Sequence, residues 1–312
     1  MNVGIFLSYK GLGANLLHLA YCHEIYKKYG PVTIITLCEN LDQILANDPK
    51  IKKIVYLNKY HKKFFDIFKL SKIFKTYNFI HFFIFYPSLR FLLASKIANI
   101  KNVYTYPLFK KKKLHLVHAA KKFTEDNLNI KDCPTESNIF IKPNKKIIKE
   151  FQLERSVRKV VIGAGSSGAT TKWGELNYIN LINKLNSEGN YFFYILCGPD
   201  EHQISENIIN SISNKNCLSF SKMRISEIIP TMSNCDLYIG NDSFGHHVCS
   251  QSGIPSIIIM LDTPSAYSDY SINQHRILPD GVNIDEVDHN SAFSKEQIKV
   301  DKVYKKALSL MN

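Results

Sequence analysis

Strand-length apolar runs alternate with helix-length amphipathic stretches along the whole of this chain, which restricts it to α/β architectures built on parallel sheets. Strands are expected over Asn2–Ser8, Pro31–Leu37, Ile51–Leu57 and Phe79–Phe85, with a further short one over Asn138–Ile141. Helices are expected over Asn15–Tyr29, His61–Tyr77, near Leu89–Ala98, and over His115–Leu128. The second of these is basic, and its apolar side is read as Phe64, Phe65, Ile67, Phe68, Ile73 and Phe74. A charged helical stretch from Pro143 to Arg158 reads as a hinge. The alternation restarts at Lys159–Gly163 and runs through Tyr191–Cys197, Cys217–Phe220, Leu237–Ile239 and Pro255–Met260 to a closing helix, Lys295–Leu310. A length of 312 residues is about twice the usual domain size. Two Rossmann-like domains are therefore expected, residues 1–150 and 151–312, with parallel sheets facing a central cleft. Ligands of such sheets bind in the loops that follow the strands.

No apolar run approaches the ~20 residues of a membrane helix, and the N-terminal stretch MNVGIFLSYKGLG reads as a first strand and not as a signal peptide. The expectation is a cytoplasmic protein. Seven cysteines, an odd number without any C-x-x-C pair, argue for reduced buried thiols and against a disulfide framework or a zinc site. Charge is uneven. Residues 1–150 carry 26 Lys and Arg against 10 Asp and Glu, whereas the remainder carries 14 against 17. The basic half suits an anionic acceptor or an anionic membrane face; lysines simply solvated at the surface would look the same. No nucleic-acid-binding motif accompanies them.

Four strand-end segments could carry chemistry. Gly11-Leu12-Gly13 allows a tight strand-to-helix turn and close backbone approach, although a plain turn accounts for it equally well. Gly163-Ala164-Gly165-Ser166-Ser167-Gly168-Ala169-Thr170-Thr171-Lys172-Trp173 offers small residues, four hydroxyls and a lysine ahead of a helix. Those donors suit phosphate oxygens; the alternative is a flexible loop that caps a helix. Cys197-Gly198-Pro199-Asp200-Glu201-His202 places acids where ribose or sugar hydroxyls are often held, or where a helix dipole favours them. Gly240-Asn241-Asp242-Ser243-Phe244-Gly245-His246-His247 packs more polar groups into one helix start than an N-cap requires.

In this order and spacing the segments resemble glycosyltransferase family 9, the ADP-heptose:lipopolysaccharide heptosyltransferases and their relatives, most strongly from Val160 to Met260. The final block is the most specific, although the family form is closer to G-N-D-S-G-P-x-H and Phe244-Gly245 departs from it. The resemblance implies a GT-B fold and inverting transfer without a metal or other cofactor. The donor would lie on the second domain and the acceptor on the first. By position, Ser166 and Ser167 would contact the donor diphosphate and Lys172 would neutralise it. Asp200 or Glu201 would bind the ribose, Met223 would line the base pocket, and Asp242, Ser243 and His247 would sit by the diphosphate and sugar. Gly11 and Gly13 would form the acceptor-side loop.

The family's first loop normally ends Gly-Asp, and that aspartate is the expected general base; this chain has Ala14 after Gly13. His18 is then a candidate base, and Glu24 a more distant one. The implied partners are a nucleotide-sugar, an anionic glycan or glycolipid acceptor, and the inner-membrane face. The alternative is a catalytically impaired sugar-nucleotide-binding protein of the same fold.

Overall fold

The computed structural model describes residues 1–58, 63–107, 115–141, 156–166, 172–213, 216–291 and 293–311. The expected hinge helix up to residue 155, Lys110–Lys113 and Ser167 fall outside them, and Arg158, the expected end of the hinge, opens a strand instead. The chain divides into two compact units, Met1–Phe140 and Ile141–Asn312. Their boundary is earlier than the expected one at 150.

In the first unit, strands β1 (Val3–Leu7), β2 (Val32–Thr36), β3 (Ile51–Tyr56), β4 (His81–Ile84) and β5 (Asn102–Thr105) form one parallel sheet, ordered β3-β2-β1-β4-β5. β1 and β2 are buried at every position. Helices on both faces of a parallel sheet leave its central strands buried on both sides, so even Thr33 and Thr36 of β2 are enclosed. β5 has no counterpart in the expected elements, because a four-residue, half-buried edge strand leaves little apolar signal. Conversely, residues 138–141 form no strand. The first expected helix is two, α1 (Leu12–Leu16) and α2 (Leu19–Tyr29), broken at Leu17 and His18.

Helix α4 (Asp66–Tyr77) follows the five-residue α3 (Leu41–Leu45) and sends Ile67, Leu70 and Phe74 into a core shared with Phe82 and Phe91. Phe64, Phe65 and Phe68, expected on the same apolar side, are exposed instead. α5 (Leu89–Ile97) and α6 (Leu116–Leu128) complete the unit. Away from the strand ends, the buried His23 joins Ser137 Oγ (2.6 Å) and Asp48 Oδ2 (2.8 Å), pinning the end of the unit to α2. Burial opposes charge on Asp48, but its bonds to His23 and the Lys50 amide hold its carboxyl below the ordinary value.

In the second unit, β6 (Arg158–Gly163), β7 (Tyr191–Leu196), β8 (Cys217–Ser219), β9 (Leu237–Asn241), β10 (Ser256–Ile259) and β11 (Gln274–Ile277) are again all parallel, ordered β11-β10-β9-β6-β7-β8. Helices α7 (Glu175–Asn186), α8 (His202–Ser211), α9 (Ile225–Met232), α10 (Phe244–Ser250) and the closing α11 (Val300–Met311) cross between strands or cover them. Each sheet reverses direction beside its first strand, between β1 and β4 and between β6 and β9. At such a switch point neighbouring loops splay apart and leave a crevice beyond the strand ends.

Candidate active site

The switch point of the second sheet collects the segments singled out in the sequence. β6 pairs with β9 on one side and β7 on the other, with Gly163 opposite both Gly240 and Leu196. The glycine/serine loop therefore leaves the sheet between the Asn241–Ser243 turn and the Cys197–Glu201 turn. Glycine at 163 and 240 is dictated by Tyr238 beneath them: a Cβ on Gly163 would lie 2.0 Å from its hydroxyl, and one on Gly240 would lie 2.6 Å from the same oxygen. That hydroxyl donates to the Asn241 carbonyl (3.0 Å) and contacts Ser243 Oγ (3.1 Å), which holds the turn onto the strand.

Asn241 is the hub of the edge. It is buried, and its amide donates to the Ala164 carbonyl (2.9 Å). Its Oδ1 accepts from the Trp173 backbone N–H and the Tyr178 hydroxyl, each at 3.1 Å. One side chain thus ties together the start of the loop, the start of α7 and the end of β9. Trp173, itself fully buried, donates from Nε1 to Ile298 (2.8 Å). Lys172 is consequently held at the same strand edge as the Asp242 turn.

Glu201 closes the other side. It accepts from the backbone N–H groups of Ser166 and Gly198, each at 3.1 Å, and forms an ion pair with Lys172. In the sequence reading Asp200 or Glu201 binds the ribose; in the structure each Glu201 oxygen already holds one loop amide. Asp200, next to it, is exposed. Met223 is half-buried in the turn before α9.

A buried polar chain runs behind the Asp242 turn. Gln274 Oε1 accepts from the backbone N–H groups of Tyr270 and Ser271 (both 3.2 Å), so its amide nitrogen faces His246 Nδ1 (3.2 Å) and donates to it. His246 therefore carries its proton on Nε2, which donates to Asp242. The histidine orients the carboxylate. His247 meets Tyr270 Oη at 2.9 Å. Burial, and then the neighbouring His246, hold its pKa well below the ordinary value, so it is neutral at pH 7 and offers hydrogen bonding without charge. Asp242, His246 and His247 each place a ligand-type atom within 4.8 Å of the others. Yet His246 is already bonded to Asp242, and His247 to Tyr270, so internal bonds engage this set.

A family model for glycosyltransferase family 9 (heptosyltransferase) matches residues 99–274, more than half of the chain. The chain belongs to glycosyltransferase family 9. It is a glycosyltransferase of that heptosyltransferase family, and its two parallel-sheet α/β units have the GT-B fold. A family 9 structure from Veillonella parvula shares 16% identity at a TM-score of 0.79, covering 99% of this chain and 97% of that one. E. coli ADP-heptose lipopolysaccharide heptosyltransferase II shares 14% at 0.74, covering 100% and 98%. E. coli heptosyltransferase WaaC, solved with ADP, shares 12% at 0.71, covering 99% and 100%. No curated protein matches the chain in sequence.

The glycosyltransferase's first unit has its own switch-point loop. Gly11 and Gly13 begin the turn after β1, and the buried Asn15 braces it by donating to Tyr9 (3.0 Å) and Gly11 (2.7 Å) carbonyls. Ala14 puts a methyl group where a base is expected. His18 does not replace it. Its ring is 0% exposed, stacked on Tyr9 and edge-on to Phe85. Nδ1 donates to the Ala14 carbonyl (2.7 Å), and Nε2 has no partner. Burial lowers its pKa to about 4, against the opposing bond to Ala14. A group sealed from solvent cannot reach an acceptor hydroxyl, so the expectation of a base at His18 is corrected. Glu24 lies in α2 and pairs with Lys27 (2.6 Å).

Asn241, Tyr238, Gln274 and Tyr270 were not among the expected site residues. Asn241 stood inside the most specific motif, and the signal that could have singled it out is an amide at the end of a strand too apolar to leave it unpaired. For Gln274 and Tyr270 the sequence carries no such signal.

Proposed function

We propose that the chain moves a sugar from a nucleotide-sugar donor, ADP-heptose being the first candidate, to a lipopolysaccharide or related envelope glycan. Transfer inverts the anomeric centre and uses no metal. The observation that carries this reading is the convergence of the β6, β7 and β9 loops on one switch point, with Ser166, Lys172 and the Asp242–Ser243 turn held there through Asn241 and Glu201. The ADP complex of WaaC and its complex with ADP-2-deoxy-2-fluoro heptose favour an adenine diphosphate donor by kinship.

In the reaction the acceptor hydroxyl oxygen bonds to the anomeric carbon as the bond from that carbon to the diphosphate breaks. The hydroxyl proton passes to a base, and negative charge builds on the departing nucleoside diphosphate. Lys172 supplies the countercharge by exchanging Glu201 for the diphosphate, the hydroxyl of Ser166 and the backbone and hydroxyl of Ser243 supply donors, and Asp242, fixed by His246, orients a sugar hydroxyl. Ser167 lies in the same loop by sequence and joins this set by position alone. Fixed donors aimed at developing charge are the usual means by which such sites lower a barrier.

Incubation with a panel of nucleotide-sugars and a deacylated lipopolysaccharide acceptor tests the reading. Turnover with one donor is expected; absence of binding to every donor would sink it. A second reading, donor binding without turnover, is favoured by one specific observation: Ala14 has no titratable group, and His18 behind it is sealed. Donor binding with no transfer, restored by Ala14→Asp, would select it.

A further inference from the structure

The turn before α4 and the first turn of that helix expose three aromatic side chains, Phe64 at 66%, Phe65 at 77% and Phe68 at 59%. Together they present on the order of 400 Å² of aromatic surface, as large as the biggest apolar patch of a typical monomer. The display is built. The Asp66 carboxylate accepts from the Lys63 N–H (2.8 Å) and fixes the turn, while Ile67, Leu70 and Phe74 anchor the other face of the helix in the core. Between residues 63 and 77 the one acid, Asp66, is buried, whereas Lys63, Lys69, Lys72 and Lys75 are exposed. Positions 65, 68, 69, 72 and 76 fall on one helical stripe, so aromatic rings at the first turn grade into ammonium groups along the same outward face.

An aromatic and basic face without exposed acid matches a membrane interface, where rings enter the acyl boundary and lysines meet anionic headgroups. A dimer contact would have to bring like-charged lysines together around the same patch. α4 joins the parallel strands β3 and β4, so its first turn lies at the edge where the strands end. Tyr86 and Leu89, also exposed, stand at that edge at the start of α5. The Gly11–Gly13 loop leaves the same edge.

We infer that Phe64, Phe65 and Phe68 at the start of α4, with the neighbouring lysines, dock the first unit on an anionic bilayer, and so set its acceptor edge against a lipid-anchored glycan; the second clause rests on the proposed transfer, the first does not. Co-sedimentation of the full chain with vesicles of phosphatidylcholine alone and with phosphatidylglycerol added tests it, without donor or acceptor. Binding to the anionic vesicles is expected, weakened by high salt. Replacing Phe64, Phe65 and Phe68 by Ser should weaken it at least about tenfold, and replacing Lys63, Lys69 and Lys72 by Gln roughly a hundredfold, since each lysine near a charged surface contributes about a factor of five. ADP affinity, measured in parallel, should be unchanged in both variants, which separates lost docking from lost folding and from failure of the donor site. Equal binding by wild type and the Phe variant, or no binding to anionic vesicles, would overturn the inference. So would a wild-type dimer in solution that the Phe substitutions convert to monomer.

Discussion

The two sheet edges of this glycosyltransferase differ in how much polar bracing they carry. In the second unit the loops beyond β6, β7 and β9 are stitched by polar side chains whose partners are all internal: Asn241 to three neighbours, Glu201 to two amides and Lys172, and Gln274 through His246 to Asp242. In the first unit the corresponding edge has one polar brace, Asn15 with Thr36 on the turn after β1, and is otherwise aromatic. His18, Tyr21, Phe85, Tyr106 and Phe123 pack ring against ring, and two buried polar atoms there, His18 Nε2 and Tyr106 Oη, are unpartnered. A diphosphate demands donors at set positions before it arrives. An acceptor that is largely carbohydrate and lipid does not impose the same geometry. On the proposed transfer, the denser polar bracing stands on the side where charge would develop on the leaving diphosphate.

Asn241→Leu should break the comparison most severely, because it leaves the Trp173 N–H and the Ala164 carbonyl buried without partners. A loss of about 4 kcal/mol is expected, seen as a drop of roughly 10 °C in the melting of the second unit. Next in size is the acid sensitivity of the first unit. His18 titrates near 4 when folded and near 6.5 when unfolded. The unfolded chain therefore takes the proton first, and stability present above pH 6.5 is lost as the pH falls toward 4. The 2.5-unit window corresponds to about 3 kcal/mol. Urea titrations at pH 7 and pH 4.5 measure it, and His18→Phe should flatten that part of the profile.

A matched pair of substitutions sharpens the contrast. Tyr178→Phe removes bonds to the Gly163 carbonyl (3.2 Å) and to Asn241, and should cost about 1.5 kcal/mol. Tyr106→Phe removes a hydroxyl that bonds to nothing, and should leave stability unchanged or raise it slightly. Equal losses in the two would erase the distinction between the edges. A smaller effect than that of Tyr178→Phe is expected from Glu201→Gln, which releases Lys172 but keeps an acceptor for only one of the two loop amides, so that a freed ammonium and a loosened loop act in opposite directions. Nucleotide affinity should change by no more than about fivefold, equivalent to about 1 kcal/mol, and calorimetry would detect it.

Much of this was legible before the fold was known. The alternation of elements fixes parallel sheets, and the Gly163–Trp173 and Gly240–His247 motifs mark the loops that meet at the second switch point. What the sequence hid has common physical causes. Glu201 looked like a sugar-binding acid because its spacing places it at a strand end; only the fold shows its oxygens turned back onto the loop. His18 looked available because helical spacing sets it over Ala14, but the break at Leu17 and His18 turns the ring into the core. Phe64, Phe65 and Phe68 read as core because hydrophobicity is a property of residue type, and nothing local says which face of a helix is covered. Gln274 in β11 and Tyr270 in the segment before it act through contacts with α10 that no local pattern encodes.

The most direct test of the central claim, that the second unit's switch point holds a nucleoside diphosphate, is calorimetric titration of ADP, UDP and GDP into the wild type and Lys172→Met. One diphosphate should bind, its affinity should fall at least about tenfold in the variant, and the matching nucleoside without phosphates should bind both proteins alike. Undiminished diphosphate binding by Lys172→Met, or none to the wild type, would contradict it.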